Sequence, residues 1–174
     1  MNKKCAVIGH REVDKEDRRY LQNELSILFN EMINSNCKTF LFGSNSEFND
    51  LCYTMISDFQ NKYTDIKRVG YLCAREIAFT LDEKIQYAKF IEANKTKGIN
   101  VKIYDTIKQF DFDDKNLYIE RNKLMIDDAD ICVFYYKQKF LSKNNKGKIT
   151  NSGTKMALDY AKQINKAIII INKI

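Results

Sequence analysis

Six short, mostly apolar runs stand out from the polar background of this chain: CAVIG (5–9), TFLFG (39–43), RVGYL (68–72), NVKIY (100–104), DICVFYY (130–136) and AIIIIN (167–172). They are rich in β-branched and aromatic residues and alternate little, which predicts strands covered on both faces. Between them the apolar positions change to helical spacing. Leu21, Leu25, Leu28, Phe29 and Met32 form one stripe, and Phe48, Leu51, Cys52, Met55, Ile56 and Phe59 a second. Leu81, Ile85, Ala88 and Ile91 give a weaker third, and Ala157, Tyr160, Ala161 and Ile164 a fourth. Each stripe is expected to face the core. The stretch 105–120 has poor periodicity and reads as an irregular connection into a short helix near 117–128. Strands alternating with helices of this length imply right-handed crossovers. The predicted fold is therefore α/β and Rossmann-like, a mainly parallel sheet of about six strands with helices on both faces.

The length, 174 residues, suits a single domain over 1–174, large enough for a core without metal or disulfide support. Hydrophobic residues at 44% and charged residues at 30% place the chain among globular proteins. No apolar run approaches the roughly 20 residues that span a bilayer, and the stretch after the N-terminal lysines is too short for a secretory segment. No membrane partner is expected, and the expected location is cytoplasmic. The five cysteines are odd in number and lack C-x-x-C spacing, while a lone His10 cannot complete a Cys/His cluster, so neither a metal nor a cofactor is expected. Cys5, Cys73 and Cys132 lie within strand-like runs, where a reduced thiol acts as a small hydrophobe. The formal charge of +6 favours anionic partners without separating a nucleotide from a nucleic acid.

In an open parallel sheet, ligands bind outside the carboxyl ends of the strands, near the point where strand order reverses. The segments leaving those ends are GHRE (9–12), GSNSEFND (43–50), the stretch after Leu72, and the loop 137–152 that runs into SGT. Gly9 ends the first run where a tight turn or close approach is expected, and His10 and Arg11 follow. His10 either caps and packs or projects into a site. Arg11 is either a fork for phosphate or carboxylate or one half of a surface salt bridge. At Gly43, Ser44 and Asn45 the chain offers hydroxyl, amide and backbone donors, with Ser46 and Asn49 as helix-cap candidates and Glu47 and Asp50 as acceptors. In ERNKLMIDDAD (120–130), Arg121 shares a helix face with Met125, and its partner is Asp127, Asp128 or a ligand phosphate. The lysine-rich loop 137–148 is a solvated loop or an electropositive lid. Asn151, Ser152, Gly153 and Thr154 open the last helix, either as its cap or as an anion site on bare N–H groups.

These segments together resemble the SLOG (SMF/DprA-LOG) superfamily, in particular its small YpsA-like members with a GHR opening. VIGHRE is similar to the family's first strand and loop. TFLFGSNSEFND is similar to its second strand and turn, with EFND where members often show Gly-Phe-Asp. RNKLMIDDADICVFYY followed by SGTKMALDYAK is similar to its Arg-Asn-x-x-Met signature, next strand and Gly-Thr turn. The resemblance implies a Rossmann-like domain that binds nucleotides or nucleotide-derived ligands at its strand ends, often as a homo-oligomer. Among the relatives it implies are the Lonely Guy phosphoribohydrolases, which cleave N-glycosidic bonds with an arginine and a glutamate in a P-G-G-x-G-T-x-x-E turn. Arg121 matches that arginine, and Gly153 and Thr154 match the Gly-Thr. Ile149, Thr150 and Asn151 replace Pro-Gly-Gly, however, and Ala157 stands where the glutamate would be, so hydrolysis on that pattern is not expected.

The leading expectation is a sensor or sequestering module for an ADP-ribose-like, cyclic or mononucleotide ligand. The alternative is an N-glycosidase, phosphoribohydrolase or deoxyribosyltransferase acting on nucleoside monophosphates or NAD-derived substrates, its carboxylate supplied by Glu47 or Asp50. A nucleic-acid partner is not expected, because no aromatic platform is evident. Tyr71, Tyr135 and Tyr136 are the candidates for stacking on a base.

Overall fold

The computed structural model describes residues 2–43, 45–111, 117–138, 142–143, 149–150 and 152–172. In chain order the large sheet takes β1 (Lys3–Gly9), β2 (Cys37–Phe42), β3 (Lys67–Cys73), β6 (Thr106–Phe110), β7 (Ile131–Tyr135) and β10 (Ala167–Ile170). Two short pairs stand apart from it, β4 (Ala78–Thr80) with β5 (Lys102–Tyr104) and β8 (Ser142–Lys143) with β9 (Ile149–Thr150). The helices are α1 (Arg18–Asn34), α2 (Glu47–Lys62), α3 (Lys84–Ala93), α4 (Leu117–Asp128) and α5 (Gly153–Gln163). Every ladder of the large sheet is parallel, in the spatial order β10-β7-β1-β2-β3-β6. From β1 the chain steps outward to β6, then returns to the far side of β1 for β7 and β10. Strand order therefore reverses between β1 and β7.

Strand parity divides the interior into two cores. Cys5 and Val7 of β1 face α1 and α2, packing with Leu21, Leu25, Phe29, Phe48, Cys52 and Ile56. Ala6 and Ile8 face the other side, with Met125 and Ile126 of α4 and Ala157, Leu158 and Ala161 of α5. Helix α1 has no side-chain cap, no acid in its first turn and no base in its last. Its buried stripe of Leu21, Leu25, Phe29, Met32 and Ile33 must therefore hold it, each large side chain contributing about 1.5–3 kcal/mol. Among the described residues no helix is long and apolar enough to cross a membrane.

Two expected elements differ. The run NVKIY contributes β5, which pairs with β4 and not with the large sheet, while TIKQF, inside the stretch read as irregular, supplies β6. An edge strand needs little apolar cover, and β6 has no fully buried residue, so its polar sequence hides it from a search for apolar runs. The third helical stripe also fails to face the core: Leu81 is 38% and Ile85 70% exposed. A short 3₁₀ turn, Leu81–Glu83, interrupts the period there. Helix α3 instead lays Tyr87 and Phe90 against Phe79 of β4.

The excursion from β4 to β5 is tied back by buried and half-buried polar groups. Tyr53 O–H donates to the Ile103 carbonyl at 2.6 Å, and Lys102 Nζ lies 2.5 Å from Asp50. Asp105, the one residue between β5 and β6, accepts from Arg68 N–H and from Gln60, both at 2.8 Å. Gly70 of β3 makes room for this packing, since a Cβ there would lie 2.6 Å from the Tyr104 ring.

Asp128, at the end of α4, receives the Tyr71 hydroxyl and Lys108 Nζ. Burial pushes its carboxyl up, but the bonds from Lys108 and Tyr71 outweigh that and hold it at about 2. The folded state therefore binds this proton less readily than the unfolded chain. Its contribution is complete above about pH 4 and lost as the pH falls towards about 2. Asp128→Asn is expected to flatten this part of the acid dependence, read as urea midpoints between those pH values.

Candidate functional site

Parallel pairing brings the ends of β1, β2, β3 and β7, and the starts of α2, α4 and α5, to one edge of the sheet. At the end of β1 the glycine serves packing. A Cβ on Gly9 would lie 2.3 Å from Phe48 Cδ1, and the Phe48 ring stacks on Tyr135 with centroids 5.6 Å apart. His10 is buried. Its Nε2 accepts the Lys137 N–H at 3.0 Å, and its ring lies 5.3 Å from that of Tyr136. Burial lowers the pKa of this imidazole, consistent with a neutral ring that accepts at Nε2. Lys137, the first residue of the lysine-rich loop, extends its Nζ to Asp17 at 2.5 Å and Asp14 at 3.3 Å. Residues 139–141 and 144–148, on which most of the lid reading falls, lie outside the described residues, as do Ser44 and Asn151.

Arg11 is exposed, and among the described residues only its carbonyl is engaged, by the Glu47 N–H at 2.8 Å. Its guanidinium makes no ion pair among the described residues. Glu47 is committed to the same turn, accepting from Val13 N–H at 2.7 Å and from the Arg18 guanidinium at 2.8 Å. The Val13 bond chiefly holds its carboxyl below the ordinary range. Asp50 faces Lys102 and Asn100, away from this turn. Asn45 is exposed, and Ser46 caps α2 by accepting the Asn49 N–H at 3.1 Å.

The centre of this edge is Arg121, 1% exposed and among the largest fully buried side chains of the protein. Its stem runs beneath Gly43, where a Cβ would lie 2.7 Å from Arg121 Cδ and 2.9 Å from Nε. Nε donates to Asn122 Oδ1 at 3.0 Å, and Nη1 donates to the Tyr71 carbonyl at 3.2 Å and to Glu76 Oε2 at 3.3 Å. Glu76 is thus the acidic partner, and Asp127 and Asp128 are not. Those two lie nearly two turns along α4, roughly 10 Å away, where Asp127 accepts from Tyr160 and Asp128 from Tyr71 and Lys108. Nothing local in the sequence links Glu76 to an arginine 45 residues later. Its only signal is a carboxylate three residues beyond the end of β3, a strand whose exit the topology already marks. Glu76 also accepts the Cys73 N–H at 2.8 Å.

At the start of α5, Ser152 is the cap, its Oγ accepting the Lys155 N–H at 3.1 Å. Thr154 is buried, whereas a Cβ on Gly153 would meet nothing within 4 Å. Ala157 faces the core between α5 and the sheet. Of the three tyrosines, Tyr71 and Tyr135 are fully buried, their hydroxyls tied to Asp128 and Asp17, so neither ring is open to a base. Only Tyr136 is partly exposed.

The fold has a solved counterpart. A structure of DNA processing protein A from Helicobacter pylori, described for its unique single-stranded DNA binding mode, is similar with a TM-score of 0.54 and 15% sequence identity. The match covers 99% of this chain and 66% of that one, so the chain spans just under two thirds of its neighbour's length. At this identity the likeness shows a shared fold, the Rossmann-like α/β arrangement expected from the sequence. No described protein family matches the sequence, and no curated protein does. The neighbour corrects one expectation: with a single-stranded DNA-binding protein sharing this fold, the exclusion of a nucleic-acid partner for want of an aromatic platform does not stand.

Proposed function

We propose that this chain, folded as DNA processing protein A is, binds a phosphate-bearing nucleotide or nucleotide-derived signal at the carboxyl edge of its sheet, as a sensor or sequestering module of the small YpsA-like type. The observation that carries the reading is Arg121, a guanidinium buried at the edge where a parallel sheet binds ligands. A buried charge with a matched partner adds little net stability over an apolar side chain, so its place is better explained by a ligand than by folding. On the same edge of the sheet lie the exposed Arg11 and the first turn of α5, where a Cβ on Gly153 would meet nothing within 4 Å and a phosphate has room to approach the helix start.

Calorimetric titration with adenosine monophosphate, ADP-ribose and a cyclic dinucleotide tests this, and no heat from any of them at millimolar concentration overturns it. Gly153→Ala gives the sharper result. The methyl enters empty volume, so the fold keeps its stability or gains about 0.4–1 kcal/mol through a less flexible unfolded chain. The same methyl occupies the space of an approaching phosphate, and affinity is expected to fall about tenfold, equivalent to roughly 1.4 kcal/mol.

A second reading, a single strand of nucleic acid across the same edge, is favoured by the fold neighbour. It predicts binding to an oligonucleotide but not to mononucleotides, with affinity falling steeply between about 50 and 200 mM salt.

A further inference from the structure

We propose that Glu76 and Arg121 together read the ribose diol of the bound nucleotide, and that Glu76 sets a preference for ribonucleotides over 2′-deoxyribonucleotides. The inference rests on the nucleotide reading above and names the part of the ligand this corner of the site takes.

Arg121 at a ligand edge invites a phosphate, but its surroundings argue against one there. The Glu76 carboxylate lies 3.3 Å from Nη1, and the two side chains are only 2% and 12% exposed. Little water is present to screen them. A phosphate brought onto the guanidinium would also be brought onto the carboxylate, and that repulsion would cancel much of the attraction. Arg11 and the open turn at Gly153 have no such carboxylate among their bonded partners and are the better phosphate contacts.

What the pair does offer is a donor beside an acceptor. The named bonds of Arg121 use Nε–H and Nη1; the Cys73 sulfur is a further neighbour and the Tyr118 ring lies 5.6 Å from the guanidinium carbon, while Nη2 has no oxygen acceptor among the described residues. The bonds of Glu76 use Oε2, which takes Cys73 N–H and Arg121 together, and the Cys73 thiol is its further hydrogen-bonding neighbour, so the carboxylate keeps lone pairs for one more donor. The carboxylate is also held in place, since the Glu76 N–H closes a tight turn on the Cys73 carbonyl at 2.9 Å. A phosphate oxygen only accepts and an exocyclic amine only donates. A hydroxyl does both, and a vicinal diol presents two, which matches a fixed carboxylate oxygen next to a guanidinium edge. Because neither side chain needs to be ordered on binding, little of the contact's strength is lost to entropy.

The test compares adenosine 5′-monophosphate with its 2′-deoxy analogue by calorimetry, in the natural protein and in Glu76→Gln. The natural protein is expected to prefer the ribonucleotide by about tenfold or more, and Glu76→Gln to bring the ratio close to one. A merely structural role for Glu76 would lower both affinities together and leave their ratio intact, which overturns the inference. Thermal melting of the variant establishes that it is folded. Should it not be, Glu76→Asp, which keeps the charge but draws it back by one methylene, is expected to reduce the ratio in a folded protein. Equal affinity of the natural protein for both probes overturns the inference while the nucleotide reading survives. Binding of neither probe removes both.

Discussion

Arg121→Ala is expected to lower the free energy of unfolding by about 3–5 kcal/mol, the range for removing one partner of a buried ion pair. Two losses add. The Glu76 carboxylate, 12% exposed, loses its counter-charge and is left with the Cys73 N–H and thiol, and the channel beneath Gly43 that the arginine stem fills becomes a cavity beside Met125. The pair as a whole is worth much less than either single deletion suggests. Arg121→Met combined with Glu76→Gln fills the channel and removes both charges, so it is expected to recover most of the loss. A double-mutant cycle by chemical denaturation measures this, and a cost for Arg121→Ala under about 1 kcal/mol would show that the guanidinium is not locked in place.

The second large effect is at Gly9. Adding one methyl should cost about 1–3 kcal/mol, because the new Cβ would stand 2.3 Å from a ring that has nowhere to go. Phe48 is fully buried, stacked on Tyr135, and its backbone is fixed by the capped start of α2. Shortening Phe48 brings no relief, since its own Cβ lies 2.6 Å from the same point. The comparison with Gly153 is instructive. The same substitution, glycine to alanine, is expected to change sign between the two positions because one faces a packed ring and the other faces open space. Thermal melts of the two variants side by side read the contrast directly.

Much of the architecture was legible because burial on both faces writes itself into sequence. β1, β2, β3 and β7 are such runs, and β10, an edge strand with no fully buried residue, is apolar all the same; their order along the chain, broken by amphipathic helices, requires a parallel sheet. The misassigned elements lie where that pressure is weak. β6 is an edge strand with no fully buried residue, and α3 packs on a two-stranded ribbon. Local chemistry was legible too. Ser46 and Ser152 stand immediately before helical periods, and both cap. Tyr71 and Tyr135 were open to two uses as strand-end aromatics, and parity turned both inward. Glu76 was the least legible residue of the site, because the arginine it meets comes from another layer of the fold. A buried arginine announces that it needs an anion without saying where in the chain the anion is. Nor did sequence decide against nucleic acid, since the surface that would meet a strand is assembled from residues far apart.

The stretch 78–104 leaves the large sheet at β3 and re-enters it at β6 through one residue, Asp105. Its helix holds no fully buried residue, and its moorings are a few polar groups on α2 and β3 together with the Tyr104 ring against Phe42 and Tyr53. Such a segment can come undone as a cooperative unit while the remainder stays folded. Native-state hydrogen exchange would then divide the amides of this protein into two populations: those of α3 trading with solvent through a low-energy opening, and those of β1 and β2 only through global unfolding. The tie at Asp105 marks the seam between the two, and weakening it by Asp105→Asn should quicken the first population without touching the second.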